Sequence, residues 1–308
     1  MYQFIFNLYY SMIEFLKKFE YIYRPLRWVY LFFYRFNELY DVFMSSRYLF
    51  VNMMKSYIQR FFWIVKDLSI NVSWIDFTIP NEPRLFIVFD EIFFRDAYAR
   101  LSWLEHVLDL WWFVGDSAVY FSMRNSNVTV YEADPENYRY LRKNIIWNNV
   151  TAYNIAVVSD PNTDSIQLTK KEKYAIGASV SVSEKGFYSY DVPADFIWNI
   201  LDENYYDWLK MDIEWSEYWI MEYLISNEKF NFKVWYIEFH LFENVEERVA
   251  IIRKIFSFLK DNWYSYLLNN GFNVESISEE DLFELILTWE LKLFILSFTL
   301  WSFDENSN

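Results

Sequence analysis

Residues 107–134 open Val107-Leu108-Asp109-Leu110-Trp111-Trp112-Phe113-Val114-Gly115-Asp116-Ser117-Ala118-Val119-Tyr120-Phe121 and close Val128-Thr129-Val130-Tyr131-Glu132-Ala133-Asp134. The run 107–110 has the length and apolarity of a fully buried strand. Gly115-Asp116-Ser117 then opens an amphipathic helical stretch through Met123, and 128–131 is a second strand that ends on Glu132. A strand, a turn, a helix and a second strand closed by an acidic residue is the layout of a nucleotide-type cofactor site. Strand and helix patterns keep alternating downstream. This predicts an α/β fold: an open, doubly wound, Rossmann-like sheet with helices on both faces.

The bulk numbers narrow the function. At 308 residues the chain can hold one large α/β domain plus an extension and bury a sizeable core. A formal net charge of −15 argues against a nucleic-acid partner, because phosphate binding needs a basic face. The absence of Cys excludes disulfides, thiolate metal sites and Cys nucleophiles, and by itself leaves the compartment open. The basic start and small-residue cleavage site of a secretory signal are missing, so the cytoplasm is the expected location. Imidazole chemistry has two candidates, His106 and His240.

Residues 1–66 are aromatic and helical in pattern, with breaks expected at Pro25 and at Ser45-Ser46. Glu14, Lys17, Arg24, Arg35, Glu38 and Asp41 interrupt every apolar run before it reaches spanning length. The expected role is a helical N-terminal extension; a membrane-surface contact through its aromatic and basic residues is the weaker alternative. The main domain is expected over 67–303, with a frayed polar tail at 304–308. Its lead-in reads as strands at 70–72, 75–79 and 85–89, followed by a short helix over 91–98. Pro135 suits the first position of a helix with Tyr138, Leu141, Ile145 and Ile146 as its apolar stripe, ending at Asn148-Asn149. Then come one strand over 150–157, a hairpin insertion over 160–193 that includes 165–168 and 178–182, and a short helix over 193–201. A buried strand at 208–213 runs into a helix from Glu214; a strand at 234–240, a helix at 245–261 and strands at 264–267 and 291–298 complete the domain.

The order of these segments resembles S-adenosylmethionine (SAM) methyltransferases, and specifically the FkbM family. Its members typically read Val-Leu-Asp-Ile-Gly-Ala-Asn-Ile-Gly-Asp where this chain has 107–116. They commonly read Lys-Met/Ile-Asp-Ile-Glu-Gly-x-Glu where it has Lys210-Met211-Asp212-Ile213-Glu214-Trp215-Ser216-Glu217. Asn154, Ala156 and Val157 match an Asn-x-Ala-Val pattern, and Glu238-Phe239-His240 a Glu-x-His strand end. The resemblance implies a SAM-dependent O-methyltransferase acting on a hydroxyl of a sugar, glycan or related metabolite. It implies cofactor contacts from Asp109, Trp111, Phe113, Gly115, Asp116, Ser117, Glu132, Asn154 and Asp212. Of these, Glu132 would take the ribose diol, the backbone of 111–117 the methionine carboxylate, and Asn154 the adenine end. Methyl transfer is an in-line displacement, so placing the acceptor and removing its proton are the tasks left to the protein. His240 is the first candidate base and Asp212 the second, while Lys210, Glu214 and Glu238 would orient acceptor hydroxyls. The same carboxylates and His240 could ligate a divalent cation; a metal-free site is preferred, since several carboxylates suit a polar substrate pocket equally well. Taken singly, Asp109 is as well read as a cap, Glu132 as a solvated strand end, and His106 as structural.

The chain departs from the family pattern at Trp111, Trp112 and Trp215. Position 111 needs Gly where the backbone turns sharply and the cofactor approaches closely, and indoles at 111, 112 and 215 would fill that space. The chain has 4 Gly and 15 Trp, against roughly 22 Gly at average usage. Trp74, Trp147, Trp208 and Trp263 also stand at turn or cap positions that favour Gly. The pattern predicts that many of the Trp are UGA codons of a lineage that reads UGA as Gly. If instead the Trp are genuine, the expectation is a catalytically inactive relative that keeps the fold as a binding or structural protein.

Overall fold

A computed structural model of the chain describes residues 36–62, 66–95, 97–98, 105–110, 113–145, 149–170, 188–213, 216–228, 232–241, 245–262, 264–269, 274–275, 278, 282–283 and 293–300. The chain divides into two compact units between Ala97 and Tyr98. Pro25, the tail 304–308, the predicted strand 178–182, and Trp111, Trp112, Trp147, Glu214, Trp215 and Trp263 lie outside the described residues.

In the first unit, helices α1 (Phe36–Ser45) and α2 (Arg47–Phe61) meet at the predicted break. Ser46 is extended there, and its hydroxyl accepts the Leu49 N–H at 3.3 Å, which caps α2. Strands β1 (Leu68–Val72) and β2 (Ile75–Ile79) form an antiparallel hairpin in the Val72↔Ile75 register. Its two-residue loop, Ser73-Trp74, has φ of 51° and 73°. Two positive φ values belong to the hairpin turn that favours Asn-Gly. Trp74 bears that left-handed backbone with its side chain 96% exposed, so no burial offsets the strain. The run 85–89, expected as a strand, is instead the start of helix α3 (Leu85–Phe93). Leu85, Phe86, Phe89 and Ile92 are its buried apolar residues, a three-to-four residue spacing, and a five-residue apolar run does not distinguish the two by itself.

The second unit is built on an eight-stranded sheet of order β12-β11-β13-β10-β9-β3-β4-β5. Its strands are β3 (His106–Leu110), β4 (Asn127–Tyr131), β5 (Val150–Tyr153), β9 (Trp208–Met211), β10 (Val234–His240), β11 (Tyr264–Asn269), β12 (Val274–Glu275) and β13 (Leu293–Leu300). Strands β5, β4, β3, β9 and β10 run parallel, and β13 is antiparallel to both β10 and β11. The chain winds outward from β3 to β5, then returns to β9 on the other side of β3. The switch point between β3 and β9 is where such sheets bind ligands. Helices α4 (Asp116–Ser122), α5 (Pro135–Asn144), α6 (Ile197–Glu203), α7 (Glu217–Ser226) and α8 (Val245–Asp261) flank the sheet. The second unit is therefore a doubly wound α/β fold, and in the described part of the first unit helices predominate.

Several boundaries differ from expectation. Helix α5 stops at Asn144, and its buried face is Asn137, Tyr140, Leu141 and Asn144 rather than a stripe through Tyr138. The strand expected over 150–157 is two: β5 and β6 (Ala156–Val158), the second belonging to a separate sheet with β7 (Ser165–Lys170) and β8 (Tyr188–Phe196). Asn154 makes the break, donating its amide to the carbonyls of Glu132 (2.7 Å) and Ala133 (3.1 Å). Pro193 lies within β8, so the helix expected from 193 begins at Ile197; α7 begins at Glu217 rather than 214.

Alternation along the strands divides the side chains between two faces. Leu108, Leu110, Leu209, Met211, Trp235, Ile237 and Phe239 join one buried cluster with Ile220, Met221 and Leu224 of α7 and Ile252, Ile255 and Phe256 of α8. Residues of the other parity include Val107, Trp208 and Tyr236. Trp208 is fully buried there, 4.2 Å from the Phe121 ring and 5.6 Å from Tyr98, both edge-on. Although its sequence context suggested a glycine place, Trp208 is a core residue, and Gly there would open a large cavity.

Candidate active site

The polar residues proposed from sequence share a parity. Asp109 is level with Lys210 across β3 and β9, and with Val130 of β4. Lys210 is level with Tyr236 of β10. Two residues further along each strand come Glu132, Asp212 and Glu238, and then His240. All therefore emerge on one face at the carboxyl ends of adjacent strands.

Near the switch point, Asp109 is fully buried, and its Oδ2 accepts the Ser117 hydroxyl at 2.7 Å. Its Oδ1 accepts no hydrogen bond, with Lys210 Nζ 3.9 Å away. Burial pushes the Asp109 carboxyl up to about 7, against the opposing pull of Lys210 and Ser117. Gly115 turns the chain into α4 with φ of +90°. That left-handed backbone favours glycine, and a Cβ there, 2.8 Å from Leu141 Cδ1, would have to displace the end of the Leu141 side chain. Asn144 holds the same turn by donating to the Val114 carbonyl at 2.7 Å. Asp116 and Ser117 are buried in the first turn of α4, and Phe113 is half-buried.

Glu132 is also fully buried. Its Oε1 accepts the Asp134 N–H at 2.7 Å, while its Oε2 meets no donor at hydrogen-bonding geometry. Burial, and then the neighbouring Asp134, push its carboxyl well above the ordinary range. Asp134 caps α5 through the Glu136 and Asn137 N–H groups. It also takes an ion pair from buried Lys170 and the Tyr190 hydroxyl at 2.8 Å. The β7–β8 hairpin is thereby tied to the end of β4, a link the sequence reading missed because Lys170 has no motif around it. Asn154 is brought to the same place through its bonds to the 132 and 133 carbonyls.

On the other side of the switch point, Asp212, Glu238 and His240 converge: one ligand atom from each lies within 4.8 Å of the others. His240 Nε2 is 3.9 Å from Asp212 Oδ1 and 4.0 Å from Glu238 Oε1. Lys210 Nζ is 3.7 Å from Asp212 Oδ2. Asp212 and Glu238 are partly exposed, whereas His240 and Lys210 are buried. Glu217, which the sequence reading quoted in a motif but gave no role, lies against His240. Its position at the start of α7, before a Glu-x-His strand end, is the signal that could have marked it. His106 is at the opposite, amino end of β3, where Asp207 Oδ2 accepts its backbone N–H at 3.1 Å; it belongs to the scaffold.

Strand order and switch point define a doubly wound α/β protein, a class that binds its ligands at the carboxyl edge of the sheet. The chain belongs to the FkbM methyltransferase family: residues 113–274 match the Methyltransferase FkbM domain. Among curated proteins the sequence has no match. Similar solved structures include the methyltransferase FkbM of Methylobacillus flagellatus (13% identity, 88% of this chain and 60% of that one, TM-score 0.39). Another is the Methanococcus jannaschii fibrillarin pre-rRNA processing protein (11% identity, 76% of this chain and 83% of that one, TM-score 0.37). The chain thus spans 60% of the length of the Methylobacillus protein. The fold class rests on the strand order and not on these likenesses. Among the described residues no helix is long and apolar enough to cross a membrane.

Proposed function

We propose that this chain is a SAM-dependent O-methyltransferase whose acceptor is a hydroxyl of a sugar, glycan or related small metabolite. The reading is carried by two buried carboxylates with open acceptor oxygens, Asp109 and Glu132, on the same sheet face as the Asp212–Glu238–His240 cluster. The open Glu132 oxygen complements a ribose hydroxyl, since a carboxylate accepts and a hydroxyl donates. Asp109 complements a nearby cationic group, which would favour its ionised form. When bound, SAM would supply an electrophilic methyl group on a cationic sulfur, with a neutral thioether as its leaving group.

The chain's own residues would do the rest. His240 Nε2 takes the hydroxyl proton as the new carbon–oxygen bond forms, with Asp212 the second candidate. Lys210, Glu238 and Glu214 orient the acceptor. Lys210 also supplies positive charge to the cluster from within the protein, so the reading is metal-free. Gly115, Asp116, Ser117, Phe113 and Asn154 shape the cofactor side.

Calorimetry with SAM tests this on two proteins, the chain as written and a form with Gly at 111, 112 and 215. Binding by the Gly form is the expected outcome, and failure of both forms to bind overturns the reading. Binding by the Gly form alone makes the codons at 111, 112 and 215 decisive: glycine-decoded UGA there leaves an active enzyme, and UGG makes the chain the inactive relative.

A further inference from the structure

We propose that Glu217 is a positioning residue that fixes the tautomer and aim of His240. This rests on the reading of His240 as the proton acceptor. Glu217 is fully buried at the first position of α7, where a helix start favours negative charge. One of its oxygens, Oε1, accepts the His240 backbone N–H at 3.0 Å and lies 3.2 Å from His240 Nδ1. The backbone amide can only donate, so that oxygen is an acceptor, and the ring nitrogen beside it must carry the hydrogen. Nδ1–H is therefore the form the geometry selects, and Nε2 is left with its lone pair.

The backbone of His240 is held from the other side as well. Its carbonyl accepts from the Tyr218 hydroxyl at 3.0 Å and from Arg248 Nη1 at 2.6 Å. With the main chain gripped at both polar atoms and the ring tied at Nδ1, Nε2 is aimed at Asp212 and Glu238. At 3.9 and 4.0 Å those contacts are too long for hydrogen bonds, and all three atoms are acceptors. The hydroxyl of a bound acceptor would donate its hydrogen to Nε2. As Nε2 takes up that proton, the Glu217 carboxylate faces the resulting imidazolium, the arrangement of a carboxylate–imidazole pair.

The test is the tautomer itself, read by long-range 1H–15N correlation on the full chain without SAM or acceptor. Only two histidines contribute, so His240 is assigned by comparison with a His106→Gln protein. His240 is expected in the Nδ1–H form in the wild type. Glu217→Gln retains an acceptor oxygen pinned by the backbone amide and is expected to keep that form. Glu217→Met removes the acceptor, and the ring is expected to revert toward the Nε2–H form of free histidine. A wild-type His240 found as Nε2–H overturns the proposal, as does a Glu217→Met protein that keeps Nδ1–H. Should Glu217→Met not fold, the wild type and Glu217→Gln still decide it. The spectrum needs no cofactor, so a failure to bind SAM would sink the methyltransferase reading while leaving the tautomer result standing.

Discussion

Two groups of buried acidic residues stand at the same edge of the sheet, and the fold uses them in opposite ways. On the β3–β4 side, Asp109 and Glu132 each keep one oxygen without a hydrogen-bond donor, and burial raises the pKa of both. On the β9–β10 side, the fully buried Glu217 uses one oxygen twice, on the His240 amide and ring. A buried acceptor left open costs about 1–3 kcal/mol, which is tolerable where a ligand supplies the donor. A buried carboxylate already bonded to a side chain instead sets that side chain's geometry. The first side is built to receive and the second to aim.

The largest expected effect is on the aiming side. His240→Gln should lower SAM-dependent methylation of a hydroxyl acceptor by about 10²–10⁴-fold while leaving SAM affinity unchanged. Full turnover would break the contrast between the two sides. Next is Asp109→Asn, read by urea unfolding. Because burial raises its pKa, Asp109 prefers to be protonated in the folded state. Its contribution to stability is complete below the ordinary carboxylate pKa near 4 and is lost as pH climbs toward 7. The Asn protein should therefore gain on the wild type by about 2–3 kcal/mol between pH 5 and pH 8; parallel pH profiles would mean that Asp109 is not held in a charge-averse site. A smaller effect is expected for Glu132→Gln in the form with Gly at 111, 112 and 215. Calorimetry should show SAM affinity weakened by about 10- to 100-fold, with the His240 tautomer unmoved. A shift in that tautomer would show that the two sides are coupled.

Much of this was legible in the sequence where local chemistry is decisive. The run 107–110, Gly115, Pro135 and the boundaries of α8 each follow from a residue type that permits few alternatives. The run 85–89 was not legible, because five consecutive apolar residues satisfy a strand and a buried helix equally. Nor was Glu217: an acidic residue at a helix start needs no further explanation, and its partner is 23 residues away, reached only through sheet packing. Tryptophan shows the same division. Trp208 resembled a misplaced glycine by sequence but fills the core. Trp74 resembled one and behaves as one, left-handed and exposed. Trp74→Gly should raise stability by about 1 kcal/mol, measured as a higher unfolding midpoint, and the mass of the tryptic peptide 67–84 reports which residue the cell inserts.

The shared parity of Asp109, Glu132, Lys210, Asp212, Glu238 and His240 also makes the site a kind of reading frame. A one-residue slip turns every side chain of a strand to the other face. Deleting a single residue early in β10 would therefore exchange the polar series for the apolar one, putting Phe239 and Leu241 where Glu238 and His240 now stand. Insertions in the loops that precede these strands leave the parity intact. Length variation in a functional lineage of this protein should thus collect between strands, while within them residues may change type but not number.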